Sequence, residues 1–476
     1  MTSQTPATAS SPSAPGPERS GSFQLDVERR SVAQALRGYT DRVRSGDPGA
    51  LPSVLGVVVL LLVFSQVSDR FLSRNNIGNL PGQGAYIAVI ALGLVFVLLI
   101  GEIDLSAGTT GGIAGGFAAQ AVFSGGLHHG VPTPMYWMVL GAMAASAGLG
   151  VWLGLRTGPV VVLVGIVIVL TGLDKHVVPA IILAISVGTA VGMFTGWLVA
   201  KVGIPSFIVT LALFLAWQGV LLFTLGSQPI NVSRYGFWNG LANFNMSPFW
   251  SWMFVILVAG GYLLVTMIRA LRSQAKGLSA DAISLVLVRG GLLAAVGAIV
   301  VIFANENRNP NPGPKIEGLP WAASIPVMLM IFATIALTKT TWGRHLFAIG
   351  GSSEAARRAG IDVTKIKVTA FTICSGMGAV GGIFLSSNTG GVQLDLGSGN
   401  TLLFAVAAAV IGGTSLFGGR GKPRDAIIGG LVIAVIPNGI GLRPSLPVQY
   451  NFIITGAVLL LAAAVDAISR RRAKSR

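Results

Sequence analysis

Glu102 and Asp104 are the acids whose spacing comes closest to a chemical site. Paired carboxylates can cleave a glycosidic bond only when both flank the same scissile atom. At i and i+2 on a helix these two would not share a face. Gly101 and Gly108 bracket them and favour a break over a continuous helix. No second suitable acid is placed to complete the pair, so catalysis is disfavoured. Two readings of the break remain. Glu102, Asp104, Ser106 and Gly108 form a bend lining a pathway or gate, or Asp104 caps the following helix and fixes the bend.

The other reactive residues offer less. Cys374 is the only cysteine, which leaves no intrachain disulfide or cysteine-based metal cluster. His128, His129, His176 and His345 are scattered, and the first two sit beside Gly130 and Pro132 as residues of a wet loop do. Gly421-Lys422-Pro423 is the nearest echo of a nucleotide phosphate loop, and it lacks the hydroxyl that would hold magnesium. No Ser/His/Asp or Cys/His arrangement supports a membrane enzyme. The chain is expected to be no enzyme, with no catalytic residue, cofactor or metal of its own.

The elements that must position these residues follow from composition. Of 476 residues, 52% are hydrophobic and 11% charged, and the mean hydropathy is +0.73. A soluble domain carries about 25% charged residues, so this much apolar sequence needs lipid. Apolar runs recur from Leu51 to Ile468, about fourteen candidates measured against the ~20 residues a crossing needs. Several are short and broken by glycine, which suits half-helices or re-entrant pieces. The expectation is an all-α, polytopic integral membrane protein of about 10–14 transmembrane or re-entrant helices.

Charge sets the orientation. Lys and Arg total 33 against 17 acids. They cluster at Arg29–Arg44, at Arg269, Arg272 and Lys276, from Lys339 to Lys367, at Arg420–Arg424 and at Arg470–Arg476. Placing all five inside satisfies the positive-inside rule and makes both termini cytoplasmic. The domain reading is then a disordered tail over 1–48, a permease domain over 49–469 with a cytoplasmic loop at 339–367, and a basic tail over 470–476. The tail lacks the apolar core of a cleavable signal peptide. A proton-driven carrier would bury acids in several helices. Here Asp174 falls in a loop and Asp466 at the last helix end. A channel, or a permease driven by a separate motor, fits better.

The segment from Thr341 to Ile361 has the character of a handle for such a motor. Gly350 and Gly351 end one piece, and Ser352 or Ser353 can cap a short helix starting near Glu354, whose charge suits the helix dipole. Ala355, Ala356 and Ala359 keep one side thin for a close partner, Arg357 adds charge, and Gly360 breaks the helix. An ordinary solvated connector is the alternative. Farther along, Gly412-Gly413-Thr414-Ser415 ends an apolar run and precedes Gly418-Gly419. That pattern permits tight helix packing at a moving joint. Thr210, Phe214 and Gln218 recur at i, i+4 and i+8, a polar and aromatic stripe that lines a sugar path or bonds a neighbouring helix. Asn438, after Pro437, poses the same choice.

The handle resembles the coupling loop in permease subunits of bacterial ABC importers for monosaccharides, the ribose, xylose and galactose group. Phe71-Leu72-Ser73-Arg74-Asn75-Asn76-Ile77-Gly78-Asn79-Leu80 is similar to the family's loop before its second helix. Glu102-Ile103-Asp104-Leu105-Ser106-Ala107-Gly108 and Ile411-Gly412-Gly413-Thr414-Ser415-Leu416-Phe417-Gly418-Gly419 resemble two of its signatures, in the right order. The likeness spans roughly Leu51 to Arg471 and is nearest the xylose type, because Glu102 precedes Ile-Asp-Leu-Ser. The stretch Arg272–Leu278 and the helix after it resemble an insertion of that type.

The resemblance implies a multi-pass protein of a prokaryotic cell membrane that works with a second copy of itself. It implies a cytoplasmic ATP-binding subunit that holds the ATP and magnesium, and an extracytoplasmic sugar-binding protein. The cargo would be xylose or a related pentose, moved by alternating access; another small polar solute (an autoinducer sugar or a nucleoside) and an ion-driven secondary carrier are the alternatives. In one respect the chain departs. Where the family carries a Glu and an Asp shortly before the second signature, this sequence has Leu402 and Phe404, with Asn400 the nearest polar residue.

Overall fold

The computed structural model describes residues 51–226, 228–276, 282–309 and 311–474. The tail expected over 1–48 and residues 277–278 of the basic insertion lie outside the described residues. In the first half, besides the four-residue helix Leu127–Gly130 at the two histidines expected in a loop, the helices are α1 (Leu51–Val67), α2 (Arg74–Gln83), α3 (Ala85–Leu99), α4 (Ala107–Ser124), α5 (Thr133–Trp152) and α6 (Thr157–Leu170). There follow α7 (Val177–Trp197), α8 (Ser206–Leu225), α9 (Gly236–Asn243), α10 (Pro248–Ala275), α11 (Ile283–Asn305) and α12 (Trp321–Lys339). The last six are α13 (Thr341–Gly351), α14 (Ser353–Arg358), α15 (Val363–Asn388), α16 (Asn400–Gly412), α17 (Pro423–Gly441) and α18 (Tyr450–Lys474). Two two-residue strands, Ile230–Asn231 and Gly391–Val392, pair antiparallel. The protein is all-α and polytopic.

Among the described residues, 9 helices are long and apolar enough to cross a membrane, and four shorter apolar helices join them. The α3 segment is apolar on every side and buried on every side, as a helix without a polar face must be. It packs with α4 and α7 around α15. Small residues let these backbones approach. Gly111 of α4 and Gly378 and Gly382 of α15 lie backbone to backbone, the packing that membrane helices use where lipid removes the hydrophobic drive between them. Hydroxyls add to it: Ser146 Oγ of α5 donates to the Ala190 carbonyl of α7 at 2.6 Å.

The periphery is the reverse. In its most apolar stretch α10 is only 11% buried, against 83% for the continuous run Arg74–Leu99. Leu257, Leu264, Leu292 and Val296 of α10 and α11 stand exposed, which makes this hairpin lipid-facing. Of the four shorter apolar helices, α16 is the shortest. With 13 residues, α16 reaches about 20 Å, well under the ~30 Å of a hydrocarbon core. In the connection before it, 389–399, Leu396 and Gly397 are buried against α4, with their carbonyls beside Gly112 and Gly108. Non-helical backbone is tolerated at membrane depth only where protein covers it in this way.

Two further expectations change. The stretch Phe71–Leu80, expected as a loop, is helical from Arg74, because Ser73 accepts from the Asn76 amide at 3.3 Å and caps it. The basic tail expected over 470–476 continues α18 as far as Lys474, since Arg, Lys and Ala are strong helix formers and cations suit a helix C-terminus.

Candidate functional site: a joint between bend, loop and handle

Three segments far apart in sequence meet at one end of the bundle. After Leu99 the chain leaves α3 and turns through Gly101, whose φ of +76° is open to glycine and strained for other residues. The Leu99 carbonyl accepts from the Gly419 amide at 2.9 Å. Gly350 of α13 lies on that pair so closely that a Cβ would stand 2.6 Å from the Gly419 nitrogen. Gly418 touches both Gly101 and Gly350. The bend after α3, the glycine loop after α16 and the end of the handle thus form one backbone-to-backbone joint.

Within the bend the acids separate in role. Glu102 forms an ion pair with Lys367, 265 residues away near the start of α15, with side-chain exposures of only 17% and 20%. Asp104 is fully buried. Its Oδ1 accepts from the Ser106 amide at 2.9 Å and the Ser106 hydroxyl at 2.7 Å. The carboxylate therefore closes a turn onto Ser106 at the entry to α4, where the helix dipole favours negative charge. Ser106 holds the N-cap position, and its own side chain caps nothing. Gly108, one turn on, abuts the Gly397 carbonyl and the Leu402 side chain.

Of the stripe on α8, Thr210 is buried and donates to the Ser206 carbonyl at 2.8 Å and to Ile103 of the bend at 3.4 Å. Ser206 Oγ in turn accepts from the Ile103 amide at 3.3 Å. Thr210 thereby braces the bend, while Phe214 and Gln218 lie half-buried farther along α8. In the glycine loop, Ser415 N–H donates to the Arg420 carbonyl at 2.9 Å and closes the turn. Gly412 packs on the Asp425 backbone, and Gly413 takes a φ of +120°. Thr414 Oγ1 approaches Asp425 Oδ2 at 3.4 Å, and the same oxygen accepts from the Lys422 amide at 2.7 Å.

Asn438 is not at the joint. It lies 15 residues into α17, about 22 Å from its start, where its amide exchanges hydrogen bonds with Asn76 at 2.7 and 2.9 Å and donates to Gln83 at 2.9 Å. The handle itself is two helices. Ser352 accepts from the Ala355 amide at 3.2 Å and caps α14. Gly351, Ser353, Glu354, Ala355, Arg357 and Gly360 are exposed. Ala356 is not: it is 4% exposed and turned into the apolar core, so the thin side expected to meet a partner is divided, with Ala356 used to anchor α14 from within. Sequence reasoning missed Lys367, Ser206, Asp425 and Asn76. Of these only Asp425 carried a local signal, an acid in the first turn after Lys422-Pro423.

Removing this acceptor should be costly. Asp104→Ala is expected to lower stability by about 1–3 kcal/mol, the cost of leaving the buried Ser106 donors unpaired. Asp104→Asn keeps an acceptor for both Ser106 donors and should lose much less. Thermal unfolding in detergent reads both, and an Asp104→Ala protein that melts with wild type would show that this turn adds nothing to stability.

Residues 160–463 match the family model described as "Branched-chain amino acid transport system / permease component". The chain belongs to this permease family. It is also 30% identical over 427 residues, 88% of its length and 96% of the relative's, to the xylose transport system permease protein XylH of Haemophilus influenzae. It is 30% identical over 434 residues to the XylH of Escherichia coli, covering 88% and 92%. The ribose import permease protein RbsC of Escherichia coli is 24% identical over 414 residues, covering 87% and 92%. No solved structure gives a significant match. The permease is a multi-pass inner-membrane protein, and the joint belongs to a transport subunit of the sugar-importer type.

Proposed function

We propose that this permease carries xylose or a related pentose inward by alternating access, powered by a separate ATPase that grips α13 and α14. The observation that carries the reading is the joint. A pull on α13 at Gly350 acts directly on the Leu99–Gly419 contact, hence on the bend from which α4 rises. Lys367, seven residues after Gly360, ties the return from the handle to Glu102 in that bend. Motion at the handle would reach α4 without passing through a flexible linker. Both termini and the handle are placed on the cytoplasmic side by the positive-inside rule, with a second copy of the chain completing the pathway and a sugar-binding protein delivering cargo outside. The chain contributes no energy of its own, so uphill import requires that linkage.

The pentose assignment rests on the similarity to XylH. Leu402 is buried against Gly108, at a position where the resemblance puts an acid, so this wall of α4 is apolar here. Membrane vesicles containing the permease with its neighbouring operon products should accumulate xylose on addition of ATP and leave branched-chain amino acids, ribose and nucleosides outside. Accumulation of leucine instead would transfer the assignment to the cargo in the family's name. Accumulation driven by an ion gradient, with this chain alone in liposomes, would make it a secondary carrier.

Glu354 tests the grip. It is exposed and pairs with Arg358 at 3.1 Å and Arg357 at 3.8 Å, contacts of small worth on a surface. Glu354→Arg should insert and melt normally while ATP-driven uptake falls at least tenfold, the loss a reversed charge of about 1.4 kcal/mol in coupling produces. Unchanged uptake would remove the docking role of α14.

A further inference from the structure

We propose that an anionic phospholipid headgroup binds in the pocket between the ends of α5, α7 and α15, beside the handle. This pocket, of about 310 Å³, is lined by Trp152, Gly154, Lys201, Asp362, Thr364 and Lys365 among others. Lys201 holds its ammonium 5.5 Å from the Trp152 ring centre. Lys365 lies over Gly154, where the absence of a side chain leaves room for it. Two lysines face one carboxylate, and Asp362 is already engaged by Lys365 at 3.4 Å and by the Lys365 amide at 3.0 Å. The pocket also borders the N-terminal end of α15, whose 26 residues present the positive end of a helix dipole. The net field favours an anion.

The surroundings select a lipid over a free anion. Trp152 is 64% exposed, and so are Val151 before it, Val202 after Lys201 and Phe207 in the first turn of α8. Those apolar groups are part of the surface that acyl chains must cover, and tryptophan and lysine together mark the level of the headgroups. A ligand that fills the pocket with a phosphate and covers this apolar rim has both parts of a phospholipid; basic pockets between membrane helices are a recurrent way to hold such headgroups. Bound there, the headgroup would pin the start of α15 to the ends of α5 and α7, next to Gly360, where the handle returns to the bundle. The proposal concerns lipid binding by the chain itself and stands apart from which solute is carried.

The test is a thermal-shift titration of the full-length permease in detergent with short-chain phosphatidylglycerol. Phosphatidylcholine of the same chain length, glycerol phosphate and inorganic phosphate are run in parallel. Saturable stabilisation by phosphatidylglycerol alone is expected. Lys201→Gln and Lys365→Gln should each weaken it about fivefold, as loss of one cation near an anionic headgroup does. Asp362→Asn, which keeps a good helix cap, should tighten it, and this opposite sign distinguishes charge recognition from general damage to the fold. Equal stabilisation by phosphatidylcholine, or by either free phosphate, would overturn the proposal, as would lysine variants that bind like wild type.

Discussion

Replacing Gly350 with alanine will abolish coupled uptake, whereas the same change one residue later, at Gly351, will leave it intact. A methyl group at 350 has no space. It would stand 2.6 Å from the Gly419 nitrogen and 3.0 Å from the Gly419 Cα, and would also meet the Leu99 carbonyl. All of these are backbone atoms, so no side chain can rotate away. The methyl would intrude on the 2.9 Å hydrogen bond from Gly419 to Leu99. Overpacking of this kind costs about 1–3 kcal/mol, and a lost backbone hydrogen bond adds about 1 kcal/mol. Nothing lies within 4 Å of a Cβ on Gly351, and alanine is the better helix former. Uptake normalised to membrane abundance measures the contrast. If Gly350→Ala transports as well as Gly351→Ala, the joint plays no part in transport.

The ion pair between Glu102 and Lys367 should show the second large effect, and in a form that a merely local defect would not produce. Both side chains are mostly buried, at 17% and 20% exposure. Removing one partner from a buried pair costs about 3–5 kcal/mol because the remaining charge is left uncompensated. The residual solvent here reduces that to about 1–2 kcal/mol by screening. Glu102→Lys and Lys367→Glu alone place like charges together, and each should lose stability and uptake severely. The exchanged double variant restores an opposite pair across the same gap and should recover a substantial part of both. Thermal unfolding and uptake across the four proteins give the coupling. A double variant as poor as the sum of the singles would show that the two residues act independently and that the bend is not tied to the return of the handle.

How legible the site was depended on how local each cause is. The Asp104 turn could be read from Asp104-Leu105-Ser106 beside Gly101 and Gly108, since a carboxylate satisfying an amide two residues on is a short-range event. Ser352 as the cap of α14 was readable for the same reason. The partner of Glu102 was not, because nothing around Lys367 marks it off from the other lysines of a basic segment. Ala356 looked like its neighbour Ala355, and only the way α14 sits on the core turns one inward and leaves the other exposed. Asn438 was grouped with the pathway residues by type, yet its amide is engaged by Asn76 and Gln83 in a separate network.

By itself the sequence determined that this chain is helical, resides in lipid and carries the signatures of a transport subunit, because hydropathy, helix caps and short motifs are set by neighbours within a few turns. Only the tertiary structure decided that the bend at 100–106, the loop at 412–421 and the end of α13 meet at one place. The contacts that join them are between backbone atoms, of glycines and of Leu99. A glycine in a sequence permits close approach without naming what approaches, and the partner is chosen only when the helices have packed.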